Sequence, residues 1–317
     1  MTTCPTLYLI VPCYNEQEVL ADTHEQLSRL LGDMVSSHSI ASQSRVLYVD
    51  DGSKDSTWAI IDSLCQHSPL AAGVKLAGNS GHQNALVAGL ETAKDHADVM
   101  ISIDADLQDD INAIPEMVEK YREGCDIVYG VRRERKTDSR FKRLTALAFY
   151  KLMRHLDVKS VYNHADYRLM SRRAVERLLQ YQERNLFLRG IVPLIGYKTD
   201  CVYYDRSARM AGESKYPLGK MLNFAVDGIT SFSVRPVRYV LLMGAIFIFI
   251  ALLMLIYVLC TYFSGRAVSG WSSIILSLWF IGGCVLVGLG IVGEYIGKIY
   301  IETKRRPRYN IEQTVLQ

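Results

Sequence analysis

The sequence predicts an α/β domain built on a mostly parallel sheet and followed by a membrane-associated region, and three observations support this. Short apolar runs alternate with helical patterns through the N-terminal part of the chain. Polar clusters directly follow several of these runs. Two long apolar runs, 239–263 and 274–297, lie near the C-terminus, whereas residues 1–235 are mixed in character. Together they predict a globular domain that is attached to a membrane.

The sheet is predicted from five short apolar runs that read as buried strands: Leu7–Val11, Val46–Val49, Val74–Leu76, Val99–Ile103 and Ile127–Tyr129. Helical patterns such as Glu16–Leu31 and Thr57–Cys65 lie between them. This alternation predicts a parallel sheet that carries helices on both faces. In sheets of this kind, ligands bind at the carboxyl ends of the strands.

The polar clusters follow the predicted strands at those ends. Pro12–Glu16 follows the first strand, Asp50–Ser53 the second and Asp104–Asp106 the fourth. The chain lacks the G-x-G-x-x-G pattern after its first strand and the G-x-x-x-x-G-K-[ST] pattern of a P-loop. A dinucleotide-dependent dehydrogenase and a P-loop kinase are therefore disfavoured.

Composition disfavours three further classes of protein. The net charge is only +3, which disfavours nucleic acid as a partner. Seven scattered cysteines without a C-x-x-C pair argue against a disulfide framework and a zinc site, and they read as free thiols.

The two long apolar runs are each long enough to cross a bilayer, and Glu294 is the single charged residue within them. Basic residues flank both runs: Arg235 and Arg238 before the first, and Lys298, Lys304, Arg305, Arg306 and Arg308 after the second. The positive-inside rule then predicts a multi-pass protein of the plasma membrane. The domain 1–215 and a basic tail 298–317 would be cytoplasmic, and the linker Ser264–Ser273 would face outwards. Two buried core helices are the alternative.

Residues 216–235 are predicted to form an amphipathic helix that lies in the membrane interface. Its apolar residues recur at helical spacing: Leu218, Met221, Leu222, Ala225, Ile229 and Phe232. Packing of this face onto the globular domain is the alternative. A basic segment that begins at Arg140 is suited to anionic headgroups, or it is a solvated face.

Asp104 and Asp106 are the strongest candidate site residues, because they lie two positions apart directly after a predicted strand. Two such carboxylates can converge on one Mg²⁺ or Mn²⁺ ion, which also binds substrate phosphates. A divalent ion would neutralise a diphosphate leaving group. A helix N-cap with loop acids is the alternative.

Weaker signals surround this pair. Asp51 lies in a turn after the second strand, where it either serves the turn or accepts hydrogen bonds from a nucleobase or ribose. Glu16 is suited to a ribose contact, and the segment Asn79–Asn84 is suited to close over a base. His82, within that segment, reads more readily as a surface histidine than as a catalyst.

As an ordered set, these motifs resemble those of family-2 glycosyltransferases with the GT-A fold. More narrowly, the chain is similar to polyprenyl-phosphate glycosyltransferases, namely dolichol-phosphate mannose synthases and bactoprenol glucosyltransferases. The resemblance covers nearly the whole chain, and its matching segments are Val11–Glu16, Asp50–Ser53, Gly81–Gln83, Asp104–Gln108, Asp166–Ser171, Arg209–Tyr216 and Gly293–Lys298.

The resemblance implies a role for particular residues. The metal would be held by Asp104, Asp106 and Gln108, and Asp106 would thereby serve the catalytic step. The nucleotide-sugar pocket would comprise Pro12, Tyr14, Glu16, Asp51, Gly81 and Asp104. Phosphate groups would meet Arg132, Arg209, Ser214 and Lys215, because guanidinium groups bind phosphate through two hydrogen bonds.

The expected reaction is inverting transfer of one sugar from a UDP-sugar to polyprenyl phosphate, with undecaprenyl phosphate as the expected lipid. Glucose and N-acetylglucosamine are favoured, while GDP-mannose and modified-pentose donors remain alternatives. Asp166 is nominated at the acceptor side as a base or a sugar-orienting group, with a structural hydrogen-bonding role as the alternative. A processive polysaccharide synthase, a non-catalytic membrane scaffold and a soluble nucleotidyltransferase are the rival functions. Self-association through the spans is also possible.

Overall fold

The computed structural model describes residues 4–133, 164–205 apart from 185, scattered positions between 237 and 256, and 270–316. These residues divide between two compact units. The first unit comprises the described residues up to 205 together with 306–316, and the second comprises those between 237 and 305.

The first unit is built on one mixed sheet of eight strands in the order β7-β5-β6-β4-β1-β2-β3-β8. The strands are Leu7–Cys13 (β1), Arg45–Asp50 (β2), Ala71–Leu76 (β3), Val99–Ser102 (β4), Ile127–Arg132 (β5), His164–Ser171 (β6), Thr199–Tyr204 (β7) and Ile311–Val315 (β8). All five strands predicted from apolar runs are present. Neighbouring strands among β1 to β4 pair in parallel, which confirms the predicted α/β architecture.

Helices connect these strands as the periodicity predicted. Those of the first unit are Leu20–Ser36 (α1), Thr57–His67 (α2), His82–Ala93 (α3), Ile114–Arg122 (α4), Arg172–Leu179 (α5) and Leu188–Ile191 (α6). α1 buries Leu20, Leu27 and Leu31 on one face, at the spacing of an amphipathic helix. α3 lies so close to the sheet that a Cβ atom built on Gly89 would be 2.4 Å from Ile10 Cγ2. A glycine is needed there for the helix to pack against β1.

Three strands were not predicted from the sequence. β6 enters the sheet antiparallel, between β4 and β5, and β7 lies beside β5 at one edge. β6 carries the buried charged residue Arg168 and is therefore not an apolar run. An apolar-run criterion overlooks a strand of this kind.

β8 lies within the segment that was expected to be a basic tail. It pairs antiparallel with β3, and so it covers the edge that β3 would otherwise expose. Side chains add to this pairing, since Lys75 Nζ lies 3.1 Å from Glu312 Oε2 and the Tyr309 hydroxyl donates to Glu91. The end of the chain is thus part of the sheet of the first unit.

The second unit contains the helix Trp271–Thr303 (α7), which includes the predicted span 274–297. Within Phe280–Thr303, an 18-residue stretch has a mean hydropathy of 1.8, and only 6% of it is buried. By length and composition this is the one helix suited to cross a membrane in the part of the chain that the structure describes. Most of the other predicted span, 239–263, and all of 216–235 lie outside the described residues. The described residues therefore contain one of the two predicted spans, and the other stays a prediction.

Candidate active site

The acidic loop after β4 is held in a tight turn. The Leu107 amide donates to the Asp104 carbonyl at 3.2 Å, and Leu107 adopts a positive φ of 44°. From α1, the Thr23 hydroxyl donates to the Ala105 carbonyl at 2.6 Å. These contacts fix the loop at the carboxyl end of β4, where Asp104 keeps 45% of its side chain exposed.

Neighbouring side chains orient the two carboxylates of this loop. Gln108 is 5% exposed, and its Nε2 donates to Asp106 Oδ2 at 2.6 Å. His82 Nε2 lies 3.6 Å from Asp104 Oδ1. The sequence had implied Gln108 as a metal ligand, and in the structure its amide nitrogen holds the carboxylate of Asp106.

The donor set of this loop fits a divalent cation that is completed by substrate. Desolvation in the cleft raises the pKa of Asp104 above its ordinary value, and the nearby charges of Asp109, Asp166 and Asp106 raise it further, while His82 opposes the shift. A cation would relieve this repulsion. Within the described residues, no group of three or more His, Cys, Asp or Glu side chains is arranged as a metal site. Mg²⁺ is commonly held by one or two carboxylates together with water and substrate phosphates, which matches this arrangement.

Asp166 reaches the same edge of the sheet because β6 runs antiparallel to β4. The register pairs Ser102 with Arg168, so Asp166 lies level with the start of the acidic loop. The Ser102 hydroxyl donates to the Asp166 carbonyl and fixes this alignment. An antiparallel strand begins where its parallel neighbour ends, and the topology therefore brings Asp166 to Asp104.

Two arginines hold the carboxylate of Asp166. Arg168 Nη2 donates to Asp166 Oδ1 at 2.5 Å, and Arg189 places Nη2 at 3.3 Å from Oδ2 and Nε at 3.4 Å from Oδ1. Burial by itself would raise the pKa of Asp166, but the positive charges of Arg189 and Arg168 outweigh it and hold the pKa well below its usual range. Asp166 is therefore an ion-paired carboxylate at neutral pH.

The short helix α6 brings Arg189 to this place. Gln83 Oε1, in the first turn of α3, accepts a hydrogen bond from the Leu188 amide at 2.9 Å. Arg168 Nη1 lies 3.5 Å from the Leu188 carbonyl. The segment Gly81–Gln83 (the G-H-Q motif) and β6 thus both position the segment that carries Arg189.

Asp51 organises the loop between β3 and α3. Its two carboxylate oxygens accept from the amides of Ser80, at 2.7 Å, and Gly81, at 2.9 Å. A Cβ atom on Gly52, whose φ is +67°, would meet the Asn79 nitrogen at 2.6 Å, so the two loops approach closely here. Burial raises the pKa of Asp51, while these hydrogen bonds oppose the shift. Gly81 itself has a φ of 90° and precedes α3.

The predicted nucleotide residues of β1 lie at its carboxyl end and in the loop that follows. Pro12 is buried near the end of the strand, whereas Tyr14, in the loop that follows, is 42% exposed. The Glu16 amide donates to Thr57 Oγ1 at 2.9 Å, which ties this loop to the start of α2. These residues are brought to the same end of the sheet as Asp51.

Arg132 lies at the end of β5 in a buried cluster. Its Nη2 donates to Asp109 Oδ1 at 2.9 Å, and the Tyr204 hydroxyl donates to the same oxygen at 2.6 Å. Asp109 is 2% exposed. Arg132 therefore braces β5 and β7 against the segment after the acidic loop, and its expected contact with the donor's phosphates stays a prediction.

Several residues near the site were not predicted from the sequence. Asp109, Tyr204 and Arg189 were not nominated, and Arg168 was quoted only as part of a motif. The signal for Arg168 was a charged residue two positions after Asp166, on the same face of an extended segment. Arg189 lies far from the motifs along the chain, and the fold alone places it. The predicted phosphate ligands Arg209, Ser214 and Lys215 lie outside the described residues.

Comparison with known proteins places these strands in a family. The model of "Glycosyl transferase family 2" matches residues 8–179, which run from the second residue of β1 to the end of α5. The chain is 54% identical over 308 residues to glycosyltransferase YkoT of Bacillus subtilis, covering 97% of this chain and 91% of the relative. It is 40% identical over 310 residues to the "prophage bactoprenol glucosyl transferase homolog" of Escherichia coli, covering 96% of this chain and 98% of the relative.

Among solved structures, glucosyl-3-phosphoglycerate synthase from Mycobacterium tuberculosis, in complex with Mn²⁺, UDP and phosphoglyceric acid, gives a TM-score of 0.46. The two sequences are 16% identical, and the match covers 71% of this chain and 76% of that one.

Proposed function

Since the chain belongs to glycosyl transferase family 2, we propose that it transfers one sugar from a UDP-sugar to the phosphate of a polyprenyl phosphate. One observation carries this proposal. The acidic loop with Asp104 and Asp106 and the group formed by Asp166, Arg168 and Arg189 meet at one edge of the sheet. Such a site offers one place for a nucleotide diphosphate and an adjacent place for a second anionic substrate.

The donor is proposed to lie over β1, β2 and β4. Tyr14 would contact the base or ribose, and the backbone around Gly81, which Asp51 holds in place, would border the pocket. Asp104 and Asp106 would bind Mg²⁺ or Mn²⁺, with Gln108 orienting Asp106. When bound, the cation supplies charge neutralisation for the UDP leaving group.

The acceptor phosphate is proposed as the nucleophile. Its second pKa is about 6, so at neutral pH it is largely a dianion and needs no proton removed. A phosphate oxygen forms the bond to the anomeric carbon while the bond from that carbon to the UDP oxygen breaks with its electron pair. The products are the polyprenyl-phosphate sugar, with inverted configuration, and UDP. Bringing two anions together is then the main task of the site.

Asp166 is proposed as an orienting carboxylate rather than a general base. A carboxyl group whose pKa lies below its usual range is a weak proton acceptor, and Arg168 and Arg189 occupy both of its oxygens. The low pKa and the two arginine contacts therefore favour the orienting role of Asp166 over the role of a base.

A membrane-bound acceptor agrees with the second unit and with the relatives. α7 has the length and composition of a membrane-spanning helix, and the relative of 40% identity is named for bactoprenol glucosyl transfer. We propose a multi-pass protein of the plasma membrane whose first unit faces the cytoplasm. The lipid phosphate would then reach the site from the cytoplasmic leaflet.

The test is transfer by the purified full-length protein in detergent, with undecaprenyl phosphate and radiolabelled UDP-glucose, UDP-N-acetylglucosamine or GDP-mannose. We expect organic-extractable label from one UDP-sugar, one sugar per lipid, lost on EDTA treatment and restored by Mn²⁺ or Mg²⁺. Asp106→Asn should lower the rate by about 10²-fold or more, because the charge of the leaving group is then poorly compensated.

Asp95→Asn serves as the matched control, because Asp95 lies just after the C-terminal end of α3, is 72% exposed and forms a surface ion pair with Lys94. Its rate should equal that of the parent protein. Label recovered only as free sugar, or as a polymer, would contradict the proposal.

A further inference from the structure

The pair formed by Arg189 and Asp166 points to a residue for the acceptor side of the cleft. We propose that Arg189 binds the phosphate of the acceptor and that Asp166 holds the Arg189 side chain in position for it. This inference rests on the proposed function and assigns a role within the same site.

The contact distances separate the two arginines. Arg168 lies 2.5 Å from Asp166 Oδ1, whereas the Arg189 contacts with the same carboxylate are 3.3 and 3.4 Å. Charge-assisted hydrogen bonds are usually about 2.7–2.9 Å long. Asp166 thus binds Arg168 tightly, and its contact with Arg189 is the longer of the two.

The side chains of Arg168 and Arg189 also differ in their exposure to solvent. The side chain of Arg168 is 2% exposed, and that of Arg189 is 35% exposed. A ligand that enters the cleft can reach Arg189 but not Arg168. A guanidinium group has five N–H donors, so it can bind a phosphate while it keeps its contact with a carboxylate. Arg168 therefore holds the carboxylate of Asp166 in place, and Asp166 in turn orients the side chain of Arg189 for the acceptor phosphate.

The strand order places Arg189 on the acceptor side. The proposed nucleotide residues follow β1 and β2, the acidic loop follows β4, and Asp166 lies on β6, beyond β4 from β1. The proposed site for the base, the proposed site for the diphosphate and Asp166 thus lie in that order across the sheet. A phosphate that attacks the anomeric carbon from the side opposite UDP would arrive from the direction of β6.

The segment around Arg189 is anchored well enough for this role. The Leu188 amide is bound by Gln83, and its carbonyl is close to Arg168. Because these anchors come from α3 and β6, they tie the position of Arg189 to the elements that border the donor pocket. Binding groups held by rigid neighbours position a nucleophile more accurately.

The experiment compares full-length Arg189→Gln and Arg189→Lys with the parent protein in detergent. KM is measured separately for undecaprenyl phosphate and for the UDP-sugar, and hydrolysis of the UDP-sugar is measured without lipid. For Arg189→Gln we expect KM for the lipid to rise about ten- to hundredfold, the loss typical of a hydrogen bond to a charged group. KM for the donor and its hydrolysis should stay unchanged. The KM of Arg189→Lys for the lipid should lie between the values of the parent protein and of Arg189→Gln, because lysine keeps the charge but lacks the planar guanidinium group.

Arg172→Gln is the matched control. Arg172 is 43% exposed and lies 3.4 Å from the carboxylate of Asp98, but it follows the opposite end of β6. It should leave both KM values unchanged. Melting temperatures report whether each variant is folded, and if Arg189→Gln does not fold, Arg189→Lys carries the test.

An unchanged KM for the lipid in a folded Arg189 variant would overturn the assignment, and so would an equal rise in KM for the donor. Farnesyl phosphate, a short acceptor, should show the same rise as undecaprenyl phosphate if the phosphate is what Arg189 binds. A rise confined to the long lipid would instead overturn the assignment in favour of a chain contact. Failure of the parent protein to use any polyprenyl phosphate would remove the proposed function itself, which distinguishes the two results.

Discussion

At the scale of single residues, the low pKa of Asp166 leads to an expectation for the pH dependence of the proposed reaction. The arginines keep its pKa below the ordinary value despite burial, so Asp166 stays charged throughout the range in which the acceptor phosphate titrates. Of Asp166 and the acceptor phosphate, only the phosphate then changes charge near neutrality. This separates a positioning carboxylate from a general base in a simple kinetic measurement.

We expect the transfer rate of the parent protein to rise with pH through about 6, as the acceptor becomes a dianion. Asp166→Asn should lower the rate but keep this rise at the same pH, because the lost group was not titrating there. A general base would typically contribute about 10²- to 10⁴-fold, and we expect a loss at or below the low end. The pH profile of kcat at saturating substrates decides, and an ionisation that disappears in the variant would identify Asp166 as a base.

At the scale of secondary structure, the packing of α3 on β1 is what sets the position of the G-H-Q motif. Gly89 allows this close approach, since an added Cβ would lie 2.4 Å from Ile10 Cγ2 and 2.8 Å from Val49 Cγ2. Both of these neighbours are fully buried in the sheet. The positions of Gln83 and of α6, which Gln83 anchors, therefore depend on a missing side chain fewer than two turns away along α3.

Gly89→Ala is expected to destabilise the protein by about 1–3 kcal/mol, the usual cost of forcing a methyl group into a filled core. Gly32→Ala is the matched control, because Gly32 is also within a helix but an added Cβ would meet nothing within 4 Å. That variant should be unchanged or more stable by about 0.5–1 kcal/mol, since alanine favours the helix. Thermal unfolding in detergent measures both, and equal effects of the two substitutions would contradict the packing argument.

At the scale of the whole molecule, the chain leaves the first unit, passes through α7 and returns to the first unit as β8. Residues 306–316 belong to the same compact unit as the candidate active site. If α7 spans the membrane, its C-terminal end must therefore face the compartment that contains this site. The pairing of β8 with β3 thus indicates which end of α7 lies on the same side of the membrane as the candidate site. This argument does not use the positive-inside rule.

Labelling of single cysteines in a cysteine-free background tests this topology. Gly270→Cys, just before α7, should react with an impermeant reagent in intact cells, because the proposed arrangement places it outside. Glu312→Cys, on β8, is 51% exposed in the parent protein and should react only after permeabilisation. The reverse pattern, or labelling of both positions in intact cells, would show that the proposed orientation is wrong.

The sequence by itself determined the α/β class, the five apolar strands and the acidic loop after β4. These features are local, because strand periodicity, the polar cluster at a strand end and a long apolar run can each be recognised within a short window. It also carried the family, through motifs whose order and spacing are specific. The same local reasoning nominated Asp104, Asp106 and Asp166, although their proposed roles await experiment.

Only the tertiary structure decided which charges meet. Arg189 joins Asp166 because an antiparallel strand enters the sheet beside β4 and because α3 anchors α6, and neither fact is visible in a local pattern. Arg132 pairs with the buried Asp109, which no local pattern indicated, and the segment expected to be a tail forms β8. In each case a contact between residues distant along the chain sets the outcome, because the partner of a charge or of a strand edge is chosen by proximity in the fold.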